Sequence, residues 1–343
     1  MSDAGKRGLA GKILRWLLPL LISGLAIWLV FRQVELSQFI DNLSKIGWRT
    51  LFLAVLLYFA SLFTRVFCWW LLLRRRVSYW DAFFTMCAGY LLNNVFPFRL
   101  GEVGRALLLD STEGPSALAV FSSVLVERIF DVFLAAVFVL AMLPRILEGA
   151  YDPRLIWIAF GLALTGMVVL YLLARFRQTV DGWLARWGER ANFIGEWVRP
   201  KAAKLLEGLS VLNSPGVFLL SFGALTLSWF LAFGQNLIVF RSLYANPPFW
   251  WMIFVLSAAA FGAALPSVPA GLGVFEGVMV ASFALLGVGA DLAFTHAIVI
   301  HVISFAFSSL LGLIGLRMRG QALVSLYQRA TQRNAVRQEN DST

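Results

Sequence analysis

Charge, cysteine and histidine are all scarce in this chain. Only 14% of its 343 residues are charged and 59% are hydrophobic, whereas soluble domains have about 25% charged and about 45–50% apolar residues. Two cysteines and two histidines give no basis for a disulfide framework or a zinc site. No Asp-x-Asp, phosphate-binding loop or dinucleotide-binding glycine pattern is present. We therefore expect no soluble globular domain, no metal ion and no cofactor.

Aromatic and basic residues are plentiful by contrast. Thirteen Trp and thirty Phe fit a membrane protein, because aromatic rings favour the lipid–water boundary. The net charge of +10 would suggest nucleic acid in a soluble protein. Here the Lys and Arg residues lie at the ends of apolar runs, which indicates anionic lipid head groups instead. We expect a phospholipid or polyprenyl-type lipid as partner and no nucleic acid, and the oligomeric state is left open.

Long apolar runs predict an all-α polytopic membrane protein. A spanning helix needs about 20 mostly apolar residues. The runs that satisfy this requirement are 14–31, 50–73, 117–143, 155–173, 216–240 and 291–316. Two further apolar stretches, 79–110 and 249–289, are interrupted near their middles by proline, glycine and charge. No small-residue cleavage site follows the first run, so we expect an uncleaved helix there.

The distribution of Lys and Arg predicts the orientation of these helices. Basic residues crowd the N-terminus, Arg74–Arg76, the segment 175–204 and the tail after Leu316, so all four are placed in the cytoplasm. The stretch 79–110 must then enter and leave on the cytoplasmic side, and 249–289 on the outer side. We predict about six spanning helices and two opposed re-entrant hairpins in a bacterial inner membrane, with both termini cytoplasmic. Charge alone is also compatible with hairpins that cross as full helices.

The two interrupted stretches resemble each other. Residues 97–102 read PFRLGE and residues 269–276 read PAGLGVFE, so both carry Pro-x-x-x-Gly followed by glutamate. The flanking helices are similarly offset, which predicts inverted repeats at about 50–143 and 216–316. Paired interrupted segments indicate the central site of a transporter, because a break at membrane depth must be buried or line a wet cavity. The residues expected to break the helices are Pro97, Gly101, Pro266, Pro269, Gly271 and Gly273.

Charged residues persist inside the apolar helices. Each one near the bilayer centre costs about 2.5–3.5 kcal/mol to insert. Arg65 lies roughly 13 Å from the cytoplasmic end of its helix, and Glu127 and Asp131 share one helix face. This predicts a substrate site, and the alternative is an ion-pair network that only joins helices. The candidate substrate-binding residues are Arg65, Asn93, Asn94, Arg99, Glu102, Arg105, Glu127, Arg128, Asp131 and Glu276.

Some candidates also have a simpler structural interpretation. Arg99 and Arg105 can instead snorkel to the cytoplasmic surface, and Glu276 can cap a helix N-terminus. His296 and His301 are interpreted mainly as satisfied core histidines, with a proton-carrying role as the alternative.

The remaining parts of the chain are polar. The segment 175–214 interleaves Trp with Arg and Lys, which predicts amphipathic helices on the inner leaflet, with a solvated linker as the alternative. Residues 1–320 are interpreted as one membrane domain, and 321–343 as a polar cytoplasmic tail.

Three motifs follow one another along the chain. They read Asn93-Asn94-x-x-Pro97-x-Arg99-x-Gly101-Glu102-x-x-Arg105, then Glu127-Arg128-x-x-Asp131, then Pro269-x-Gly271-x-Gly273-x-x-Glu276. Together they resemble the signature of the lysylphosphatidylglycerol synthase transmembrane-region family, over roughly residues 12–320. The family supplies the flippase half of such synthases and also occurs as stand-alone membrane proteins. Ala270 departs from it, because a Pro-Gly-Gly run is expected there.

The resemblance implies a flippase-like module that acts on a lipid with an anionic or aminoacylated head group. The chain ends near its last membrane helix, so we expect no aminoacyl-transferase domain and no enzymatic activity. The guanidinium groups of Arg65, Arg99 and Arg105 would bind a lipid phosphate, and the carboxylates would act as counter-charges or a proton relay. The alternatives are a membrane-embedded transferase that acts on a lipid carrier, or a non-catalytic partner of an envelope-lipid enzyme.

Overall fold

The computed structural model describes residues 20–96, 100–109, 115–146, 153–188, 213–262 and 268–318. Within these ranges all regular secondary structure is helical, so the all-α prediction is confirmed. The helices are α1 (Leu20–Phe31), α2 (Leu36–Ser44), α3 (Trp48–Leu72), α4 (Tyr79–Val95), α5 (Gly101–Leu109), α6 (Ala117–Ile146), α7 (Pro153–Arg175), α8 (Arg177–Gly188), α9 (Pro215–Arg241), α10 (Phe249–Gly262), α11 (Val274–Ala284) and α12 (Ala290–Met318). A 3-10 turn, Pro269–Gly271, precedes α11.

Three of the described helices are long and apolar enough to cross a membrane. These are α3, α9 and α12, with 25, 27 and 29 residues, and they match the runs 50–73, 216–240 and 291–316. Helices α1 and α2 count as a fourth candidate only when taken together, and they are bent by 82°. The described residues therefore support three or four spans, and the six-span topology stays a prediction.

Both interrupted stretches form the expected pairs of short helices. The stretch 79–110 gives α4 and α5, and 249–289 gives α10, the 3-10 turn and α11. The first arms have 17 and 14 residues, or about 25 and 21 Å at the helical rise, whereas the hydrocarbon core is about 30 Å thick. Pro97, Arg99 and Pro266 lie outside the described residues.

Helices α3 and α9 pack against each other in opposite directions. The Thr50 hydroxyl, near the start of α3, lies 3.0 Å from that of Ser242, just after α9. In the middle, the Ser61 hydroxyl donates to the Ser228 carbonyl at 2.9 Å. Around this pair, α4 packs along α12 and α10 packs against α6, while α5 contacts α4 and α6, and α11 contacts α10 and α12.

Glycines allow α4 and α12 to approach closely. A Cβ at Gly312 would lie 2.6 Å from the Cys87 carbonyl oxygen, and one at Gly315 would lie 2.9 Å from that of Phe84. Small residues at a helix interface are a common way to join helices within a membrane. This contact fixes α4 beside the last helix of the chain.

Two short helices lie outside the apolar runs and interrupted stretches that the sequence predicts. Helix α2 follows the first apolar run and exposes Leu36 and Ile40. The N–H of Glu35, which immediately precedes α2, donates to the Asp291 carboxylate at 2.7 Å. Helix α8 begins the predicted amphipathic segment and exposes Trp183 and Trp187. Residues 189–212 of that segment, and the predicted tail 321–343, lie outside the described residues.

Ala270 in the 3-10 turn has a backbone conformation that favours glycine. Its φ is +62°, and a residue with a Cβ pays about 1–2 kcal/mol in this region. We expect Ala270→Gly to raise the free energy of unfolding by up to about 1 kcal/mol, because the greater freedom of unfolded glycine offsets part of the relief. Thermal unfolding in detergent, followed by tryptophan fluorescence, measures this change. Ala259→Gly within α10 is the control and should lose about 1 kcal/mol; a lower melting temperature for Ala270→Gly would contradict the prediction.

Candidate functional site

An ion-pair network joins α3, α5 and α6. Arg65 of α3 binds both oxygens of Asp131 on α6, at 2.6 and 2.8 Å, and reaches Glu127 at 3.3 Å. Arg105 of α5 donates to the other oxygen of Glu127 at 2.6 Å. Two-pronged bonds between a guanidinium and a carboxylate are among the strongest in proteins. The structure thus brings together four of the residues selected from the sequence.

Arg128 and Glu102 form a half-buried end of this network. The Arg128 guanidinium lies 3.3 Å from Asp131 and 3.7 Å from the Glu102 carboxylate. Side-chain exposure is 34% for Arg128 and 19% for Glu102, but 0% for Glu127. With the two arginines of α3 and α5, the described network holds three guanidinium groups and three carboxylates, so its charges balance.

Two tryptophans support the network, and no pattern in the sequence predicted this role for either. The Trp229 indole of α9 donates to the Asp131 carboxylate at 3.1 Å. The Trp69 ring lies 3.8 Å from the Arg105 guanidinium, a cation–π contact, and its N–H donates to the Ser123 hydroxyl at 3.0 Å. Tryptophan in a membrane helix is expected near the interface, so only the packing of distant helices reveals these roles.

The two asparagines of the first motif hold helices together. The Asn93 side-chain oxygen accepts the Gly101 N–H at 2.7 Å, which caps the start of α5. The Asn94 amide donates to the hydroxyls of Ser308 and Ser309 on α12, at 3.0 and 2.9 Å. Both were predicted to bind substrate. In this structure their polar atoms fix α4 against α5 and α12.

A close approach of α4 and α5 creates the position of Arg105. A Cβ at Gly101 would lie 2.1 Å from the Gly89 carbonyl oxygen, and one at Gly89 would lie 2.7 Å from the Arg105 side chain. The arginine therefore runs through space that a larger residue at position 89 would fill. Arg105 is only 2% exposed, so its guanidinium does not snorkel to the membrane surface.

Glu276 belongs to a second charged site, at the start of α11. One carboxylate oxygen accepts the Gly273 N–H at 2.7 Å, and the other forms a short contact with Nδ1 of His301 on α12. Glu276 is 4% exposed, and in the described ion pairs its partner is this histidine. Glu276 is thus both a helix cap and half of a buried acid–imidazole pair.

Helix α1 covers the break that precedes this second site. The Ser23 hydroxyl accepts the Val268 N–H at 3.1 Å, and Ile27 packs on Gly273, where an added Cβ would lie 2.6 Å from it. Gly271 and Gly273 have φ values of +75° and +83°, as a sharp turn requires. The turn Pro269–Gly271 also packs against α4. Helices α1 and α4 therefore cover part of this break, where residues 268–271 are half-buried and Gly273 is buried.

The part of the chain described by the structure contains no group of three His, Cys, Asp or Glu side chains arranged to hold a metal ion. The absence of enzymatic activity stays a prediction.

Apolar helices around buried charges define this chain as a multi-pass membrane protein. It belongs to the family of the lysylphosphatidylglycerol synthase TM region, whose model matches residues 16–312, and the resemblance drawn from the three motifs is confirmed. A UPF0104 membrane protein of Methanothermobacter thermautotrophicus is 26% identical over 252 residues, which cover 68% of this chain and 72% of the relative. A second match to a UPF0104 membrane protein of that organism is 27% identical over 319 residues, or 86% and 89% of the two chains. No solved structure matches the chain.

Proposed function

We propose that the chain is a lipid flippase or transporter, which moves an anionic or head-group-modified lipid between the leaflets of a bacterial inner membrane. The observation that carries this proposal is the charge-balanced network of α3, α5 and α6, which is fully buried at Glu127 and only half-buried at Arg128. Charged residues within membrane helices are rare and mark the paths of polar substrates. Membership of the family also supports a lipid-related membrane function.

An inverted repeat is the architecture proposed around this network. The helices α3–α6 can be matched in order with α9–α12, and matched helices make matching contacts. The contact of α4 with α12, for example, corresponds to the contact of α10 with α6. The first helices of the two repeats, α3 and α9, pack antiparallel. A two-fold axis that relates antiparallel helices is perpendicular to them, so it lies in the membrane plane. Transporters with such inverted repeats bind substrate where the repeats meet.

Two re-entrant helix pairs and six spans, with both termini cytoplasmic, complete the proposed topology. The short first arms of α4 and α10 favour pairs that turn back within the membrane. Both breaks are built alike, because the corresponding N–H groups of Gly101 and Gly273 each donate to a side-chain oxygen at 2.7 Å. The oxygen comes from Asn93 in the first pair and from Glu276 in the second.

We infer that a lipid head group binds by exchange of ion-pair partners, in which its phosphate takes the place of a carboxylate beside a guanidinium. All three described arginines are paired with carboxylates, and Arg128 has the most exposed side chain of the three, at 34%. Arg128 is therefore the proposed first contact of a lipid phosphate, together with Arg99 outside the described residues. Replacement of a carboxylate by a phosphate keeps each guanidinium paired, which avoids the about 3–5 kcal/mol cost of an isolated buried charge. A released carboxylate can then accept an ammonium group of a modified head group.

Replacement of Arg128 by alanine tests this function. A hydrogen-bonded contact with a charged group contributes about 1.5–3 kcal/mol, so we expect translocation of phosphatidylglycerol to fall about 10–100-fold. Proteoliposomes with a fluorescent phosphatidylglycerol, bleached from outside by dithionite, measure the rate. Arg128→Lys keeps the charge but loses the planar fork, and should retain an intermediate rate.

Arg49→Ala is the matched control, because Arg49 is exposed and lies over the Trp48 ring near the start of α3. It should transport like the wild type. Full transport by Arg128→Ala would refute the assigned site, and a wild-type rate equal to that of protein-free vesicles would refute the function.

A further inference from the structure

The two charged sites differ in how their charge responds to pH. The network of α3, α5 and α6 contains arginine cations, which stay charged throughout the physiological range. The second site pairs Glu276 with His301, and imidazole is the side chain whose charge ordinarily changes between about pH 5 and 8. Of the two histidines in the sequence, His301 thus contacts the carboxylate that lies beside the second helix break.

The hydrogen bonds of this pair define where a proton can bind. Both oxygens of Glu276 accept a bond, from the Gly273 N–H and from Nδ1 of His301, and an ionised carboxylate is acceptor-only. The neutral imidazole therefore carries its hydrogen on Nδ1, and the lone pair of Nε2 is left for a second proton. The His301 side chain is 13% exposed, whereas His296 is fully buried.

We propose that His301 and Glu276 form a proton-binding site that couples lipid movement to a proton gradient, an inference that rests on the lipid transport proposed above. One proton from the aqueous phase on one side binds Nε2 of His301, and the pair changes from one negative charge to neutral. The same proton dissociates from Nε2 to the opposite side after the helices rearrange. One proton thus crosses the membrane in each cycle, and no other reactant is consumed.

The described groups around Glu276 and His301 are neutral, so the binding of a proton sets the net charge of this site. The Phe275 ring lies 5.0 Å from the imidazole. From α3, the Tyr58 hydroxyl donates to the Ser304 carbonyl at 3.4 Å, and tyrosine is neutral over this pH range. Ser23 of α1 contributes a neutral hydroxyl beside the break, whereas the Asn236 side chain of α9 contacts His296 instead. Among the described ion pairs, the Glu276–His301 pair contains no third charge.

Glu276 also connects the proton to the second break. Its carboxylate caps α11 and holds the Gly273 N–H, where the backbone has a φ of +83°. The turn immediately before it packs on α4 of the proposed first repeat. His301 lies roughly 17 Å along α12, close to the middle of its 29 residues. A change of charge here therefore acts on the contact between the two repeats.

Nuclear magnetic resonance tests proton binding without transport. In His296→Gln, His301 is the remaining histidine of the sequence, so a full chain purified with a histidine-free tag gives one imidazole signal. With ¹⁵N-histidine label in phosphatidylglycerol nanodiscs, we expect the imidazole to bind and release one proton as the pH is varied. Glu276→Gln should change the midpoint of this proton binding, because it removes the carboxylate in contact with Nδ1. A silent imidazole, or an unchanged midpoint, overturns the site.

Proteoliposomes with a trapped pH dye test the coupling. Short-chain phosphatidylglycerol is added to the outer leaflet of vesicles of phosphatidylethanolamine and phosphatidylglycerol, and lipid movement and internal pH are both recorded. We expect proton flux with lipid movement in the wild type and in His296→Gln, and about tenfold or greater loss of proton flux in His301→Gln, equivalent to about 1.4 kcal/mol or more. Undiminished flux in His301→Gln overturns the site.

The same vesicles separate the two proposals. Lipid movement without proton flux in the wild type overturns the coupling and leaves the proposed function intact. No lipid movement in the wild type overturns both the function and the coupling.

Discussion

Replacement of Glu127 by alanine is expected to lower the free energy of unfolding by about 3–5 kcal/mol, the cost of breaking a buried ion pair from one side. Glu127 is fully buried, and Arg105 is 2% exposed. Their 2.6 Å contact is the ion pair that holds the Arg105 guanidinium in the described structure. Arg65 keeps its two bonds to Asp131 in this variant, so the loss should come chiefly from Arg105. The Trp69 ring that remains beside it offsets only a small part.

A double-mutant cycle separates the pair from its environment. Glu127→Leu combined with Arg105→Met removes both charges, and such a replacement is often neutral or stabilising. We therefore expect the double variant to unfold close to the wild type, with a coupling energy of several kcal/mol between the two positions. Reversible unfolding in mixed micelles, followed by circular dichroism, gives the four free energies.

Glu35→Ala provides the control for loss of a carboxylate. Glu35 is bonded to Gln38 at an exposed position, and its removal should change stability by no more than about 0.5 kcal/mol. A Glu127→Ala variant within about 1 kcal/mol of the wild type would contradict the prediction, because Arg105 would then have another way to satisfy its charge.

The sequence predicted the helices where length and composition decide the structure. The long apolar runs gave α3, α9 and α12 to within two residues, and proline with glycine located the interruptions. Helix α2 was not predicted, because its nine residues are too few for an apolar run. Its N-terminus is fixed by a bond between Glu35 and Asp291, residues 256 positions apart.

The charged residues of the site could be predicted from the sequence, but the pairing between them could not. A charge inside an apolar helix is costly, so Arg65, Glu127 and Asp131 were visible in the sequence. Which acid binds which guanidinium depends on how α3, α5 and α6 meet, and no local pattern encodes that. Trp229 reaches Asp131 because α9 packs on α3. His301 meets Glu276 because α11 folds back on α12.

Gly101→Ala is expected to separate α5 from α4 and to lower the free energy of unfolding by about 3 kcal/mol. The added Cβ would lie 2.1 Å from the Gly89 carbonyl oxygen, a backbone atom that no side-chain rotation can move. Overpacking of this kind costs about 1–3 kcal/mol. Separation would also break the bond from the Gly101 N–H to Asn93, which adds about 1–3 kcal/mol for a buried group left unpaired.

Gly104→Ala, one turn further along α5, is the control, because it adds the same methyl group without a clash against the backbone. Its Cβ would also lie 2.1 Å from a neighbour, but that neighbour is the end of the Leu92 side chain, which can rotate. The gain of about 1 kcal/mol in helix propensity should offset much of the remaining cost. Thermal unfolding and phosphatidylglycerol translocation are measured for both variants. We expect Gly101→Ala to lose stability and transport together, because displacement of α5 also withdraws Arg105 from Glu127. Equal behaviour of the two variants would show that the close approach of α4 and α5 is not what holds the network together.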